Sequence, residues 1–199
     1  MIGKKTAPSP PHPRKQRIIE AAVTCFLEAG YHQTGVRDIA HRAGISLGNL
    51  YNHFSGKEAV LAEIARIEAQ ELEAFRTLLA AGPDPKATLT RFVEDYAEYA
   101  ARPENAVLGL EILSEAIRAP QIATLFSGNR AGLVTGLEEL LEKGARTGHF
   151  RAFEDPRETA GLILDAIEGR ALRVLLKDAK GSAKTTLWRF IDAATQVKP

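Results

Sequence analysis

Apolar residues recur at three- and four-residue intervals through nearly the whole chain, and no run alternates with the two-residue period of a strand. The first stripe, Ile18, Ala22, Cys25, Phe26 and Ala29, predicts a helix over 14–29 that Gly30 stops. Val36, Ile39, Ala40 and Ala43 predict a short second helix over 36–43 ending at Gly44, and a third follows over 47–53. Ser55-Gly56-Lys57-Glu58 has the spacing of a capping box and opens a long fourth helix to 81, with Leu61, Ile64, Leu72, Phe75 and Leu79 inward. Gly82-Pro83-Asp84-Pro85 breaks it. Asp84 as N-cap and Pro85 at the first helical position then open a fifth helix, to 101. Pro103 and Pro120 mark starts for helices over 104–118 and 120–143. Asp155-Pro156 starts an eighth over 156–178, and a ninth covers 183–196. The expected fold is all-α, with about nine helices.

Two helices of about eight residues are marginal in water alone and make sense only packed on the first helix. Ala40 is small where two helices cross, Gly44 suits a turn that needs positive φ, and Ile45 and Leu50 fill the angle between helices. Such a unit fits a DNA-binding helix-turn-helix, whose second helix enters the major groove. It fits an αα-hairpin inside an ordinary bundle as well. The outer positions of the third helix, Ser46, Gly48, Asn49, Tyr51, Asn52 and His53, are small or hydrogen-bonding, and none is acidic.

Charge sharpens the picture a little. The net charge is only +1, yet residues 1–60 carry eight Lys/Arg against four acids, while the remainder carries 18 against 21. A basic front suits a polyanion, although a solvated surface gives the same count. Residues 1–13 hold four of the ten prolines with Lys4 and Lys5, as expected of an extended basic arm. A single cysteine, Cys25, on an apolar stripe, excludes an internal disulfide or a cysteine-rich metal site. No apolar run is long enough to span a membrane, and residues 1–13 lack a signal-peptide core, so a cytoplasmic protein is expected. The chain has no H-E-x-x-H, di-iron E-x-x-H, G-x-S-x-G or P-loop sequence, so neither catalytic residues nor a metal or cofactor are expected.

Gly30-Tyr31-His32-Gln33-Thr34-Gly35-Val36-Arg37-Asp38-Ile39-Ala40, followed by Ala43-Gly44-Ile45-Ser46-Leu47-Gly48-Asn49-Leu50-Tyr51-Asn52-His53-Phe54-Ser55-Gly56-Lys57-Glu58, closely resembles the TetR family of bacterial transcriptional regulators. One departure is Gly35, where the family usually has Thr or Ser as the N-cap of the second helix; the resemblance leaves Thr34 to supply that hydroxyl. It implies phosphate contacts from Tyr51, His53 and Lys57, with Thr34 and Arg37 as further backbone candidates. Packing at the corner before the fourth helix is the other reading of Tyr51 and His53. Ser46, Leu47, Gly48, Asn49 and Asn52 become candidates for base edges, since Asn can pair with adenine. Arg14, Lys15 and Arg17 are candidates for phosphate or the minor groove, or belong to a solvated arm.

The same resemblance implies three regions: an arm over 1–13, a DNA-binding domain over 14–56 and a ligand-binding and dimerisation domain over 57–199. Helices eight and nine would pair with a second copy through Leu162, Ile163, Ala166, Ile167, Leu175, Leu187, Trp188 and Ile191. The apolar girth of helix eight suits burial on two sides, within a dimer or within the monomer core. Phe75, Phe92, Tyr96, Tyr99, Leu108, Ile112, Phe126 and Leu133 would line a small-molecule pocket or fill the core. Glu111, Glu115, Asn129 and Arg130 would add polar groups. Gly128, Gly132 and Gly136 recur every four residues in helix seven, for close contact or for bending. The implied function is a repressor that binds a palindromic operator in double-stranded DNA as a homodimer and is released by a small-molecule effector. A helical adaptor or a helical-bundle enzyme is the alternative.

Overall fold

The computed structural model describes residues 13–176 and 183–197. The expected arm over 1–13 lies almost wholly outside them. The described residues form helices joined by turns, with no strand among them: α1 (Pro13–Ala29), α2 (Val36–Arg42), α3 (Leu47–Tyr51), α4 (Lys57–Ala81), α5 (Pro85–Ala100), α6 (Pro103–Ala116), α7 (Pro120–Arg146), α8 (Pro156–Leu175) and α9 (Ala183–Thr195). Pro85, Pro103, Pro120 and Pro156 each take the first helical position, where the missing N–H costs nothing. Asp84 accepts from the Lys86 and Ala87 amides, and Asp155 from that of Glu158. α3 is shorter than expected, ending at Tyr51 with Asn52 as C-cap.

The chain divides into two compact units between Ile64 and Ala65, inside α4. That boundary falls two turns later than the expected one at 56/57, because Val60, Leu61 and Ile64 are buried with the N-terminal unit.

In the first unit, Ile18, Ala22, Phe26, Ile39, Leu50 and Val60 are fully buried. α2 packs on α1 and α3 on α2. Each fully buried Leu, Ile or Phe contributes about 1.5–3 kcal/mol, which the short helices could not gain alone. Gly44 sits at φ +66°, a conformation that L side chains rarely adopt, and turns the chain between α2 and α3. Arg17 donates to the Ala43 carbonyl at 2.8 Å, satisfying an acceptor at the end of α2. Lys15 pairs with Glu63 at 3.0 Å and lies over the Phe54 ring. Both cations therefore brace their own unit instead of forming part of a solvated arm.

In the second unit α8 is the central element, packed on α5, α6, α7 and α9. The residues expected at the dimer surface divide into two groups. Ile163, Ile167, Leu187 and Ile191 are buried in the core of their own chain, and Ala166 and Trp188 pack against it. Four neighbouring helices account for most of the apolar girth of α8. Of the expected α8 residues Leu162 faces outward, 61% exposed, and Leu175 is half-buried. In α7, a Cβ at Gly132 would collide with the Arg76 side chain at 2.8 Å, and one at Gly136 would press on Leu79 at 3.1 Å, whereas Gly128 faces open space. At Gly132 the neighbour is the movable end of Arg76, so Gly136, against Leu79, is the one that serves close approach to α4.

Candidate nucleic-acid interface and interior cavity

The turn before α2 is built from inward-facing groups. Gly35 is the N-cap of α2 and offers no hydroxyl; its amide donates to the Asp38 carboxylate at 2.8 Å. Thr34 does not replace the missing hydroxyl at the surface. It is 2% exposed, and its Oγ1 donates to the Gly30 and Cys25 carbonyls at 2.8 and 3.2 Å. This corrects the expected phosphate contact: a buried hydroxyl spent on two carbonyls has nothing to offer outside. Arg37, the second residue of α2, is exposed.

α3 is held by Leu50, fully buried, and by Ser46, whose Oγ accepts from the Asn49 amide at 3.2 Å. With that anchor inside, Ser46, Gly48, Tyr51 and Asn52 are exposed, and Leu47, Asn49 and His53 are half-buried at the rim. Nothing lies within 4 Å of the position a Cβ would take on Gly48, so the backbone there is open to close approach. Tyr51 is 50% exposed, well short of the burial that corner packing would impose. The face contains no carboxylate and offers amide, hydroxyl and imidazole groups.

Lys57 opens α4. Its ammonium donates to the Tyr31 carbonyl at 2.7 Å and the His32 carbonyl at 3.3 Å, and lies 4.3 Å from the centre of the Tyr31 ring. Beyond any outside contact, Lys57 therefore ties the turn after α1 to the start of α4. Sequence reasoning missed this second task because 25 or more residues separate the partners.

The second unit contains a cavity of about 510 Å³, within the range of small-molecule sites. Of the expected lining residues, Tyr96, Tyr99, Ile112, Phe126, Asn129, Arg130 and Leu133 border it. Phe75, Phe92, Leu108, Glu111 and Glu115 do not. Phe92 is fully buried in the core, and Phe75 stands edge-on to Tyr96 and Tyr99, with ring centres 5.3 and 5.4 Å away. α6 turns Leu110, Ile112 and Leu113 to the cavity instead of Leu108, Glu111 and Glu115; Leu110 and Leu113 are also 52% and 61% exposed.

The sequence reading missed the cavity's acids. Glu68, Asp165 and Glu168 all border it, beside Arg130. Asn129 donates to Glu68 at 2.7 Å and to the Ala65 carbonyl at 2.9 Å. Tyr96 donates to Glu168 at 2.9 Å. Arg130 pairs with Asp165 and lies 3.6 Å from Glu168. Burial pushes the Glu68 carboxyl above its ordinary value, against the Asn129 hydrogen bond. Burial does the same to Glu168, against the pull of Arg130. The Tyr96 and Tyr99 hydroxyls are raised far above theirs, first by burial and then by Glu168 and Glu71 respectively, so both stay protonated. A signal did exist: Leu61, Ala65, Glu68, Leu72, Phe75 and Leu79 follow one 3–4 stripe, and Glu68 is the lone charge in it.

Among the described residues, no cluster of His, Cys, Asp or Glu is placed to hold a metal ion, and no helix is long and apolar enough to cross a membrane. A compact three-helix unit whose small, acid-free third helix faces outward defines a helix-turn-helix DNA-binding regulator. Residues 18–64 match the pattern of bacterial regulatory proteins of the tetR family, and residues 85–196 that of the BetI-type transcriptional repressor C-terminal domain. The chain is 34% identical over 163 residues to the HTH-type transcriptional repressor KstR2 of Rhodococcus jostii, covering 74% of this chain and 76% of that one. In fold it is similar to a regulator from Saccharomonospora viridis in complex with choline, at TM-score 0.79 and 23% identity over 92% of this chain and 98% of that one. It is also similar to FadR from Bacillus subtilis in complex with stearoyl-CoA, at TM-score 0.74 and 22% identity over 88% and 96%. The chain belongs to the TetR family of bacterial transcriptional regulators. It is a DNA-binding regulator and not an enzyme.

Proposed function

We propose that this protein is a repressor that binds a palindromic operator as a homodimer, reads it with α3, and lets go when a small molecule fills the cavity of the second unit. The observation that carries the reading is the outward face of α3: Ser46, Gly48, Tyr51 and Asn52 exposed, Asn49 at the rim, Leu50 locked inside. A helix so held presents hydrogen-bonding groups without an acid that an anionic groove would repel. Asn49 and Asn52 are the base readers; Tyr51, His53, Arg37 and Lys57 serve the phosphates. Such a protein works where the chromosome is, in the cytoplasm.

Two-fold symmetry matches a palindrome, since two α3 helices meet half-sites about one helical turn apart. The pairing face comprises apolar groups that α8 and α9 leave outside, Leu162, Val174 and Leu176 on or at the end of α8 and Phe190 on α9. Leu162, Leu176 and Phe190 are each more than 60% exposed, a cost that a second copy would remove.

The release step needs a ligand that binds two conformations with different affinity; several kcal/mol of difference make the switch nearly complete. α4 is suited to carry it, because Glu68 and Leu72 at the cavity belong to the same helix that Lys57 begins. The solved relatives hold choline in one case and stearoyl-CoA in another, so likeness of fold does not choose a ligand class.

Mobility shift on DNA upstream of the protein's own gene, with the stoichiometry measured, tests the reading. Two chains per site and protection of two symmetric half-sites are expected. One chain per site, or no sequence-specific complex, overturns it.

A further inference from the structure

The polar lining of the cavity has a one-sided hydrogen-bonding character. Tyr96 and Tyr99 give their single hydroxyl hydrogens to Glu168 and Glu71, so towards the cavity they offer lone pairs only. Asn129 spends its amide N–H groups on Glu68 and the Ala65 carbonyl, leaving its carbonyl oxygen. Ser127 gives its hydroxyl to the Thr124 carbonyl. Arg130 is the cation among the described lining residues, and it is directed at Asp165, Glu168 and the Gly161 carbonyl. Against that one cation stand three carboxylates, Glu68, Asp165 and Glu168. Asn105 also borders the cavity and donates to the Tyr99 carbonyl at 2.9 Å. The rest of the wall is apolar, and on the α6 side Leu110 and Leu113 continue it to the surface.

From this census we infer that the cavity takes an amphiphilic organic cation: an ammonium or related donor-bearing head seated between Glu68 and Glu168, with an apolar body lying along α6. The inference rests on the reading of the cavity as an effector site and gives that site a ligand class.

The physical reason is complementarity. A ligand rich in acceptors meets lone pairs on almost every polar wall atom and leaves buried oxygens facing oxygens. An anion meets the two largely buried carboxylates, Glu68 and Glu168, where screening is weakest. A cationic donor supplies the missing hydrogens and offsets the charge that the second carboxylate leaves unpaired. Burial already disfavours ionisation of both Glu68 and Glu168; Glu68 also feels two other carboxylates, Glu71 and Glu168, and Glu168 feels Asp165. The groups around the head are Glu68 and Glu71 from α4, Tyr96 and Tyr99 from α5, Asn129 and Arg130 from α7, and Asp165 and Glu168 from α8. Among the described residues that border the cavity only Arg130 is positive; Arg102, outside the lining, lies 5.7 Å from the centre of the Tyr99 ring.

The test uses three probes with the same tail and different heads, decylamine, decanol and decanoate, titrated calorimetrically into the full-length protein below their micelle concentrations at neutral pH. Decylamine is expected to bind tighter than either of the others by about tenfold or more. Glu68→Gln and Glu168→Gln are each expected to remove most of that preference while leaving decanol affinity within about twofold. Glu94→Gln, on the exposed face of α5, should keep the preference, and circular dichroism of each variant controls for folding. Decanol or decanoate binding as tightly as decylamine overturns the inference, as does failure of all three to bind or a preference that survives both cavity substitutions. Adding operator DNA separates this result from the effector reading. If decylamine binds through the two glutamates yet leaves DNA affinity unchanged, the cation site stands and the effector role falls.

Discussion

Lys57 donates to the carbonyl of Tyr31 at 2.7 Å, so the first residue of α4 closes the turn that leaves α1. The ammonium also serves the His32 carbonyl and covers the Tyr31 ring. Lys57→Met keeps most of the stem and loses the charge. We expect it to lower unfolding free energy by about 1–3 kcal/mol, the worth of hydrogen bonds to a charged group. The salt dependence of DNA binding should fall by about one phosphate contact without a change in sequence preference. Chemical denaturation and a salt titration of operator binding measure the two effects separately.

Thr34 and Arg37 are three residues apart and opposite in character. Thr34→Val preserves shape and removes the one hydroxyl hydrogen shared between the Gly30 and Cys25 carbonyls. It should cost about 1–3 kcal/mol of stability, because the carbonyls are left buried, and should not alter the salt slope. Arg37→Ala should do the reverse: little loss of stability and a slope smaller by about one. A Thr34→Val protein that is fully stable and binds DNA weakly would return that hydroxyl to the interface.

The division between legible and illegible features has physical causes. Helix boundaries depend on local chemistry, so Pro85, Pro103, Pro120 and Pro156 announce their helices in the sequence, and Gly30 and Gly44 end theirs at positive φ. The α2–α3 unit was readable because its spacing is short and its residue types are few. The inward turn of Thr34 was not, since it depends on which side of the loop faces α1. The same holds for α8: periodicity shows that it is apolar on several sides, but only the packing on four helices says that Ile163 and Ile167 face their own core. Glu68 and Glu168 resembled surface charges because a carboxylate on a helix is normally solvated. Their place beside buried apolar residues became meaningful once α5 and α7 were seen to close over the same space.

Leu162 and Phe190 stand outside the fold, whereas Ile167 is inside. Leu162→Glu combined with Phe190→Glu should yield a folded monomer at micromolar concentration, read by sedimentation velocity, with operator binding lost. Ile167→Ala should instead cost about 2–5 kcal/mol of fold stability. An unchanged dimer in the double variant would place the pairing face elsewhere.

Glu68 predicts a pH dependence. Its ordinary value is near 4.5, and burial raises it in the folded protein. The folded state therefore holds the proton more tightly than the unfolded state. The stability this proton contributes is fully present below 4.5 and is lost as the pH rises through the higher folded value. Glu68→Gln, neutral at every pH, should melt higher than the wild type at pH 7, and the gap should close as the pH approaches 4.5. Thermal melts of the ligand-free proteins across this range give the difference directly. A gap that widens towards acid would mean that the folded protein favours the charged form.

The reading of DNA by α3 is tested most directly by the affinities of wild-type and Asn49→Ala protein for operator variants with each half-site base pair changed in turn. For the wild type, each unfavourable change should cost about 1–3 kcal/mol. Asn49→Ala should flatten that cost at one symmetric pair of positions and leave the rest of the profile in place. A variant whose whole profile matches the wild type's would contradict base reading by this face of α3.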